Sequence, residues 1–442
     1  MKLVRHKDWP LVRFIIPAFP EVNIFTRVSD KMTPLGPILI ATAASKVWGW
    51  RVEVVDENNY TGPRDPAGMP DHTQLQEENF ASVVGFYFGL TSTVDRGFEL
   101  AKYYHDLGVI TIAGAWHAHY CSEEVLNNGI NVVFHGDGEI AIQQFLATIL
   151  DGGEIFNMAG ISFSENGEVR SNPPAMLQLS DLDDLPYPDY GLLRYARKIK
   201  TYSIGRVRGC AMNCEFCSVK GRPRWASPEH LFRTVNWLVE TRKAKMFFIV
   251  DDRLEENIEG TMEFFRLVAA KYGSKLSFTV QVRLESAKNT HFLEIMRSAG
   301  VQIIAVGIES PIPEDLSSMR KGYKIQREGS ADDKVAQMLE WAKTLRRYFW
   351  VHGMFIFGYP KKEKYSHRLA VSDAVRQFKA FIKRADLSSI QVLHPVPIVG
   401  TELRERLEKE QRILPRSIAP WSKYDGNYLC FIPDDMTVKE AQ

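Results

Sequence analysis

The sequence predicts an α/β chain in two parts, a doubly wound parallel sheet followed by a parallel, partly open barrel. Three observations carry this expectation. Short apolar runs alternate with helical patterns along most of the 442 residues, as parallel strands joined by crossover helices do. The runs of the first part are near-continuously apolar, as strands covered on both faces are. Polar, glycine and proline residues gather directly after the runs, at the carboxyl ends where open α/β sheets and barrels bind ligands.

In the first series, Val12–Ile16, Arg51–Asp56, Ser82–Phe88, Val109–Ala113 and Val132–Phe134 read as strands. Leu35–Trp48, Thr93–Leu107, Ser122–Asn128 and Glu139–Leu150 read as the helices between them, which places a domain over residues 10–155. Four segments follow its strands: Pro17–Pro20, Gly89–Thr93, Gly114–His117 and Gly136–Glu139. Small residues there let a large flat ligand approach the backbone. Any one segment reads equally as a short βα turn, but four together favour a binding site. His117 and His119 have no third donor beside them in the sequence, so they read as hydrogen-bonded turn residues rather than metal ligands. Trp116 either stacks on a ligand or fills an interface.

Residues 156–200 read as a linker. Gly160–Phe163 and Val169–Arg170 flank Asn166-Gly167, the signal of a two-residue hairpin. Leu179–Tyr190 then reads LSDLDDLPYPDY, a connector stiffened by two prolines.

A second series spans residues 201–400. Its strands are Thr201–Val207, Lys245–Val250, Leu276–Val282, Gln302–Val306, Val351–Phe357 and Ser388–Leu393. Helical patterns lie near Pro228–Arg242, Ile258–Lys271, Asn289–Ser298, Asp332–Arg347 and Tyr365–Arg384. Ser227-Pro228 is a strong helix start, a hydroxyl N-cap followed by proline at the first helical position. Residues 401–442 form a short C-terminal segment whose end looks like the start of a helix.

Three of the five cysteines lie in one loop after the first strand of this second series, Cys210, Cys214 and Cys217, spaced C-x3-C-x2-C. Three thiolates can hold three irons of a [4Fe–4S] cluster, which leaves one iron open for a substrate or cofactor. The competing readings are a zinc site or buried thiols. Structural zinc sites usually supply four protein ligands, and no second cysteine pair or nearby Cys/His pair exists. Cys121 and Cys430 stand alone. Acidic and basic residues end the next strands: Asp251 and Asp252 the second, Arg283 and Glu285 the third, Glu309 the fourth. Helix capping and surface ion pairs are the bland readings of these groups.

The loop Gly205–Lys220, GRVRGCAMNCEFCSVK, resembles the signature of the radical S-adenosylmethionine (SAM) superfamily, with the aromatic Phe216 before the third cysteine. The resemblance implies that SAM chelates the open iron through its amino and carboxylate groups. It also implies that an electron from the cluster cleaves SAM to methionine and a 5′-deoxyadenosyl radical. By the same resemblance, Asp251 and Asp252 face the SAM amino group, Arg283 its carboxylate, and Glu309, in a G-I-E-S segment, its ribose or amino group. Gly358-Tyr359-Pro360 resembles F-x-x-G-x-P. Pro395 belongs to a segment resembling the P-x-P-G-T beside the adenine, with Ile398-Val399 standing between Pro397 and Gly400.

The first series resembles the cobalamin-binding domain of one large subfamily. Pro34-Leu35-Gly36 opens its first helix, Thr91-Ser92-Thr93 follows its third strand, Gly114-Ala115-Trp116-His117 matches G-G-x-H, and Gly136-Asp137-Gly138-Glu139 matches G-E-G-E. Ala115 and Asp137 depart from those patterns. The D-x-H-x-x-G motif is absent, so histidine is not expected on the lower cobalt face. The connector matches L-x-D-L-D-x-L-P-x-P. The implied fold is an N-terminal Rossmann-like cobalamin-binding domain followed by a partial (β/α)6 TIM-like barrel.

The implied function is a cobalamin-dependent methyltransferase acting on an unactivated carbon or phosphorus of a small molecule, lipid or natural-product precursor. The electron would come from an external donor such as a flavodoxin or ferredoxin. A radical cyclase, ring-rearrangement or carbon–carbon coupling enzyme is the alternative within this fold, and an iron–sulfur sensor or electron carrier the alternative outside it. Composition sets the remaining bounds. A net charge of +1 gives no bulk case for nucleic acid. No apolar run reaches the length of a membrane span. Clustered rather than paired cysteines suit a reducing, cytoplasmic setting.

Overall fold

The computed structural model describes residues 9–23, 26–173, 182–321, 330–362, 369–434 and 437. Leu179–Asp181 of the acidic connector, residues 365–368 at the start of the last barrel helix, and most of the tail from residue 435 lie outside this set. The chain divides into two compact units, Met1–Lys200 with Pro420–Ser422, and Thr201–Ala419 with Lys423–Gln442.

The first unit is built on a seven-stranded sheet ordered β2-β1-β3-β4-β5-β6-β7. Its strands are β1 Leu11–Ile16, β2 Arg51–Asp56, β3 Ala81–Tyr87, β4 Ile110–Gly114, β5 Val132–Phe134, β6 Ile161–Glu165 and β7 Glu168–Ser171. The first five pair in parallel and the last two antiparallel. All six positions of β1 are buried, which explains its near-continuous apolar reading. Strand order reverses between β1 and β3, the switch point beside which doubly wound sheets hold ligands. The segment expected as a linker hairpin is instead an extension of this sheet. Asn166 and Gly167 both take positive φ, 54° and 85°, as a type I′ turn requires. The resulting ribbon covers the edge of the three-residue β5, which would otherwise stand unpaired.

Arg13 is the one charged residue of β1 and is fully buried. Its guanidinium donates to Glu53, Gln76, Tyr104 and the carbonyls of Leu75 and Asn79. Two of those acceptors belong to a short helix, His72–Glu78, which the sequence analysis did not anticipate. Asp71 caps it, accepting from Gln74 N at 2.9 Å.

The second unit carries a six-stranded parallel sheet in sequential order: β8 Thr201–Ile204, β11 Met246–Ile249, β12 Ser277–Val282, β13 Val301–Glu309, β14 Trp350–Ile356 and β15 Ser389–Leu393. A separate two-stranded ribbon joins β9 Val207–Arg208 to β10 Arg224–Trp225. The edge strands β8 and β15 do not pair, so the barrel is partial. β14 alternates strictly between covered and open positions. Phe355, on its covered side, packs against Phe378 and Phe381 of the helix Val371–Ala385. Ser227 caps the helix Pro228–Arg242 as its sequence predicts, accepting from His230 N at 3.1 Å.

The strand expected at Thr201–Val207 is shorter than read. Ile204 O accepts Val250 N, but the next amides, of Arg206 and Val207, turn to the Asp251 side chain. A ladder cannot continue once its donors are diverted.

Candidate functional site

Because all six strands run in parallel, their carboxyl ends form one rim, and each expected residue of the second unit falls on it. The cysteine loop leaves β9 and returns through β10, so the β9–β10 pairing closes its neck. Cys214 is buried, and Cys210 and Cys217 are partly so. Burial pushes the Cys217 thiol up, against a hydrogen bond from the Val219 backbone, and the neighbouring Cys214 and Cys210 push it further. Burial also raises the Cys210 thiol, against a hydrogen bond from Met212 N at 3.5 Å. Cys430 lies outside this loop. It is wholly buried, donates weakly to Lys423 O, and is pushed by burial to about 12.

The acids after β11 grip the backbone of the loop. Asp251 Oδ1 accepts Arg206 N at 2.6 Å and Val207 N at 2.9 Å. Asp252 Oδ2 accepts Gly209 N at 2.6 Å, and Glu256 Oε1 accepts Ala211 N at 2.9 Å. Asp251 and Asp252, the two expected beside the SAM amino group, each use one oxygen to order the chain that bears the cysteines. Asp251 Oδ2 is buried without a hydrogen-bond partner. Burial lifts the Asp251 carboxyl to about 6, against the lowering effect of its two amide donors.

Arg283 is buried, and its Nε donates to Glu285 at 2.7 Å. Its own amide donates to Glu255 Oε1, which also accepts Ser286 Oγ. Glu309 ends β13 at φ 66°, next to a register shift against β14. A non-glycine residue in this region stores strain of the kind that gathers at functional sites. Its carboxylate accepts Lys321 Nζ at 2.6 Å. A Cβ on Gly307 would sit 2.4 Å from Glu309 Oε1, so only glycine lets this side chain lie back across the strand. Pro395 is buried in the turn after β15, where His394 N donates to Gly426 O at 2.8 Å.

Two residues of the site escaped sequence reasoning. Glu215, between the second and third cysteines, is 2% exposed. It accepts Tyr359 Oη at 2.7 Å, Arg406 Nε at 3.1 Å and Lys362 Nζ at 3.1 Å. Burial works to raise its carboxyl, but these donors and the Arg406 charge outweigh burial and hold it below the usual range. Its backbone is tied as well, to Met319 O and Leu403 N. Phe216 meets the same Tyr359 edge-on at 6.2 Å. The second missed residue, Arg206, is 3% exposed and binds Ala226 O, Thr261 and Asn257, fixing β10 to the helix behind it. An acid between the second and third cysteines was the one local hint of Glu215, and its partners came only with the fold; nothing local marked Arg206.

In the first unit, the expected residues gather at the carboxyl ends of β1, β3, β4 and β5. Pro34 precedes the helix Leu35–Ala44, with Gly36 exposed on its first turn. Thr91-Ser92-Thr93 form a buried 3-10 turn, and Asn23 donates to Ser92 Oγ. Gly114 is partly open, and a Cβ on Gly136 would meet nothing within 4 Å. Ala115 is exposed at φ 75°, ψ −171°, a region populated essentially by glycine. Asp137 and Gly138 are half-buried and Glu139 buried at the start of the helix Gly138–Leu150. Trp116 is half-buried and stacks at a tilt on Tyr120. His117 differs from expectation. It is 0% exposed, lies under Trp421, and neither ring nitrogen has a hydrogen-bond partner. His119 does behave as a bonded turn residue, 2.8 Å from His135 between their Nδ1 atoms.

Comparison with known proteins agrees with this geometry. The family model of the radical SAM superfamily matches residues 204–410. An uncharacterized methyltransferase of Pyrococcus horikoshii, PH0819, is 26% identical over 348 residues, covering 76% of this chain and 70% of its own. The radical S-adenosylmethionine methyltransferase TsrM from Kitasatospora setae, solved with cobalamin and a [4Fe–4S] cluster, superposes with a TM-score of 0.69 at 17% identity, over 90% of this chain and 78% of that one. The cobalamin-dependent S-adenosylmethionine radical enzyme OxsB, solved with aqua-cobalamin, gives 0.63 at 15%, over 90% and 55%. Both superpositions extend over 90% of this chain, so the likeness is one of fold across both of its units. The match places a radical SAM domain over residues 204–410, and the chain is an enzyme whose partial barrel follows a Rossmann-like domain.

Proposed function

We propose that the chain is a cobalamin-dependent radical SAM methyltransferase in which Cys210, Cys214 and Cys217 hold a [4Fe–4S] cluster. The carrying observation is the rim: three thiols on a loop whose backbone is tied down by Asp251, Asp252 and Glu256, beside a buried carboxylate oxygen without a partner. That orphaned Asp251 Oδ2 suits a cationic donor such as the SAM amino group, because a buried acceptor left unmade costs free energy that a bound donor recovers. Glu309 would take a SAM hydroxyl or amino donor, Pro395 would flank the adenine, and Phe216 would shield the third cysteine. Arg283 would turn toward the SAM carboxylate only by sharing its fork with Glu285. Bound at these residues, the cluster supplies the electron that cleaves SAM reductively, and cobalamin supplies a methyl group for transfer.

The chain's own contribution is to order and seclude. Asp251 and Asp252 fix the loop amides, and Glu215 and Tyr359 fix its far side. In the first unit, Gly36, Gly114, Ala115 and Gly136 leave backbone open at the carboxyl ends of the sheet, a surface fit for a flat corrin, with Thr91–Thr93 and Asp137–Glu139 beside it. Methyl transfer is favoured by the names of the relatives, and the acceptor is a carbon or phosphorus of a small molecule or lipid. The electron donor is a flavodoxin or ferredoxin in a reducing cytoplasm. Among the described residues no helix is long and apolar enough to cross a membrane.

The test is anaerobic incubation with SAM, cobalamin, a low-potential reductant and extracts of candidate substrates. Formation of both 5′-deoxyadenosine and S-adenosylhomocysteine with a methylated product supports the proposal. 5′-Deoxyadenosine alone with a rearranged product would replace it with a radical cyclase or coupling enzyme. SAM left intact by the reduced, cluster-loaded protein would leave an iron–sulfur carrier.

A further inference from the structure

We infer that His117, Cys121 and Glu124 form a second metal site, in the first unit, for a divalent ion of the zinc class. This goes beyond the cofactors proposed above and does not depend on them. The three residues follow β4 at spacings of four and three, H-x3-C-x2-E, on two short helices, Trp116–Tyr120 and Ser122–Asn127. Cys121 sits at the joint between them, its amide donating to His117 O and its carbonyl accepting Val125 N. The joint brings the three side chains to one place. Their ligand atoms lie within 4.8 Å of one another.

Two observations point to an ion rather than to ordinary packing. His117 is completely buried, yet neither ring nitrogen makes a hydrogen bond. A neutral imidazole has one donor and one acceptor to satisfy, and burying both unmet is costly. Glu124 Oε2 lies 3.8 Å from Nε2. That is too long for a hydrogen bond, but it is close to the ~3.4 Å that separates two ligands sharing a tetrahedral zinc at ~2.0–2.2 Å. The second observation is the support. Trp421 Nε1 donates to Glu124 Oε1 at 2.8 Å and so fixes which oxygen faces the imidazole. The Trp421 ring also closes over His117 at 4.7 Å. A carboxylate ligand held by an outer hydrogen bond and an imidazole under an apolar cover are features of built metal sites.

Nitrogen, thiolate and carboxylate together suit zinc or a close neighbour rather than calcium or magnesium. Three protein ligands leave one position for water, as zinc sites with an open coordination place do. The thiol proton leaves to solvent on binding, and no oxidation state changes.

The probe is Co²⁺ added to the full-length chain carrying Cys210→Ala, Cys214→Ala and Cys217→Ala, which removes the loop thiolates. One equivalent should bind with thiolate-to-cobalt charge-transfer absorption. That absorption should vanish in a further Cys121→Ser variant, and affinity should fall at least ~10-fold in Glu124→Gln, the scale on which lost ligand support weakens metal sites. No thiolate absorption at one equivalent, or a band unchanged in Cys121→Ser, overturns the inference. A second readout uses the unsubstituted, cluster-loaded chain. Zn²⁺ should slow alkylation of Cys121, followed by mass spectrometry of its peptide, and an unchanged rate overturns the inference equally.

Discussion

Replacing Glu215 with alanine should destabilise the second unit and empty the cysteine loop together. The side chain is 3% exposed and accepts from Tyr359, Arg406 and Lys362. Each hydrogen bond to a charged group is worth about 1.5–3 kcal/mol. Removing one partner of a buried ion pair costs about 3–5 kcal/mol when the other is left dry. Here Arg406 and Lys362 are 17% and 24% exposed, so water recovers part of the loss. A net cost of about 2–3 kcal/mol follows, which for a unit of this size lowers the melting temperature by about 5–10 °C. Glu215→Gln keeps an acceptor for Tyr359 and should lose about half as much. The assay pairs thermal melting of the purified chain with iron and sulfide per chain after anaerobic reconstitution. An alanine variant that melts with the unsubstituted chain and retains equal iron would refute the role given to Glu215.

Three further outcomes follow from the same structure. Ala115→Gly should stabilise the first unit by about 1 kcal/mol, because glycine relieves the strain of a φ 75°, ψ −171° backbone and gives back part of the gain in chain entropy; denaturant melts read it. Arg13→Met should cost about 2–4 kcal/mol, because Glu53 keeps only the more exposed Arg194 and the acceptors Gln76, Leu75 O and Asn79 O lose their donor, and a double variant with Glu53→Gln should recover part of that in a mutant cycle. The third concerns pH. Asp251 ionises near 6 when folded and near 3.8 when unfolded, so below about 4 both states hold the proton. As pH rises through 6 the unfolded chain has already released it, and up to about 3 kcal/mol of stability is lost across that window. Glu215 has the opposite sign: its contribution is present above the ordinary carboxylate range and is lost as pH falls through its depressed folded value. The stability of the unsubstituted metal-free chain relative to Asp251→Asn should therefore fall from about pH 4 to about pH 6 and level off above it. A difference independent of pH would contradict the burial assigned to Asp251.

The parallel sheets were legible because their strands carry burial in their composition: β1 is apolar at every position but Arg13, and β14 alternates around a covered face. The rim was legible for the same reason, since glycine, proline and acidic residues mark where strands stop. The partnerships at that rim were not. Nothing in the spacing tells that Asp251 and Asp252 spend an oxygen each on the cysteine loop, because those amides lie more than forty residues earlier in the chain. Glu215 was hidden for a related reason: its partners Tyr359, Lys362 and Arg406 are brought to it only by the closing strands. His117 was read as a turn residue because its third donor, Glu124, comes from the next helix and its cover, Trp421, from the far end of the chain. Local pattern reports periodicity and capping, whereas long-range pairing of side chains needs the fold.

The central claim is that Cys210, Cys214 and Cys217 hold a cluster with one iron open to SAM. Electron paramagnetic resonance of the reduced, anaerobically reconstituted chain, recorded before and after adding SAM, tests it most directly. A [4Fe–4S] signal whose g-values shift on SAM addition, and which is absent from Cys214→Ala, is the expected result. A cluster signal indifferent to SAM, or one that survives loss of Cys214, would contradict it.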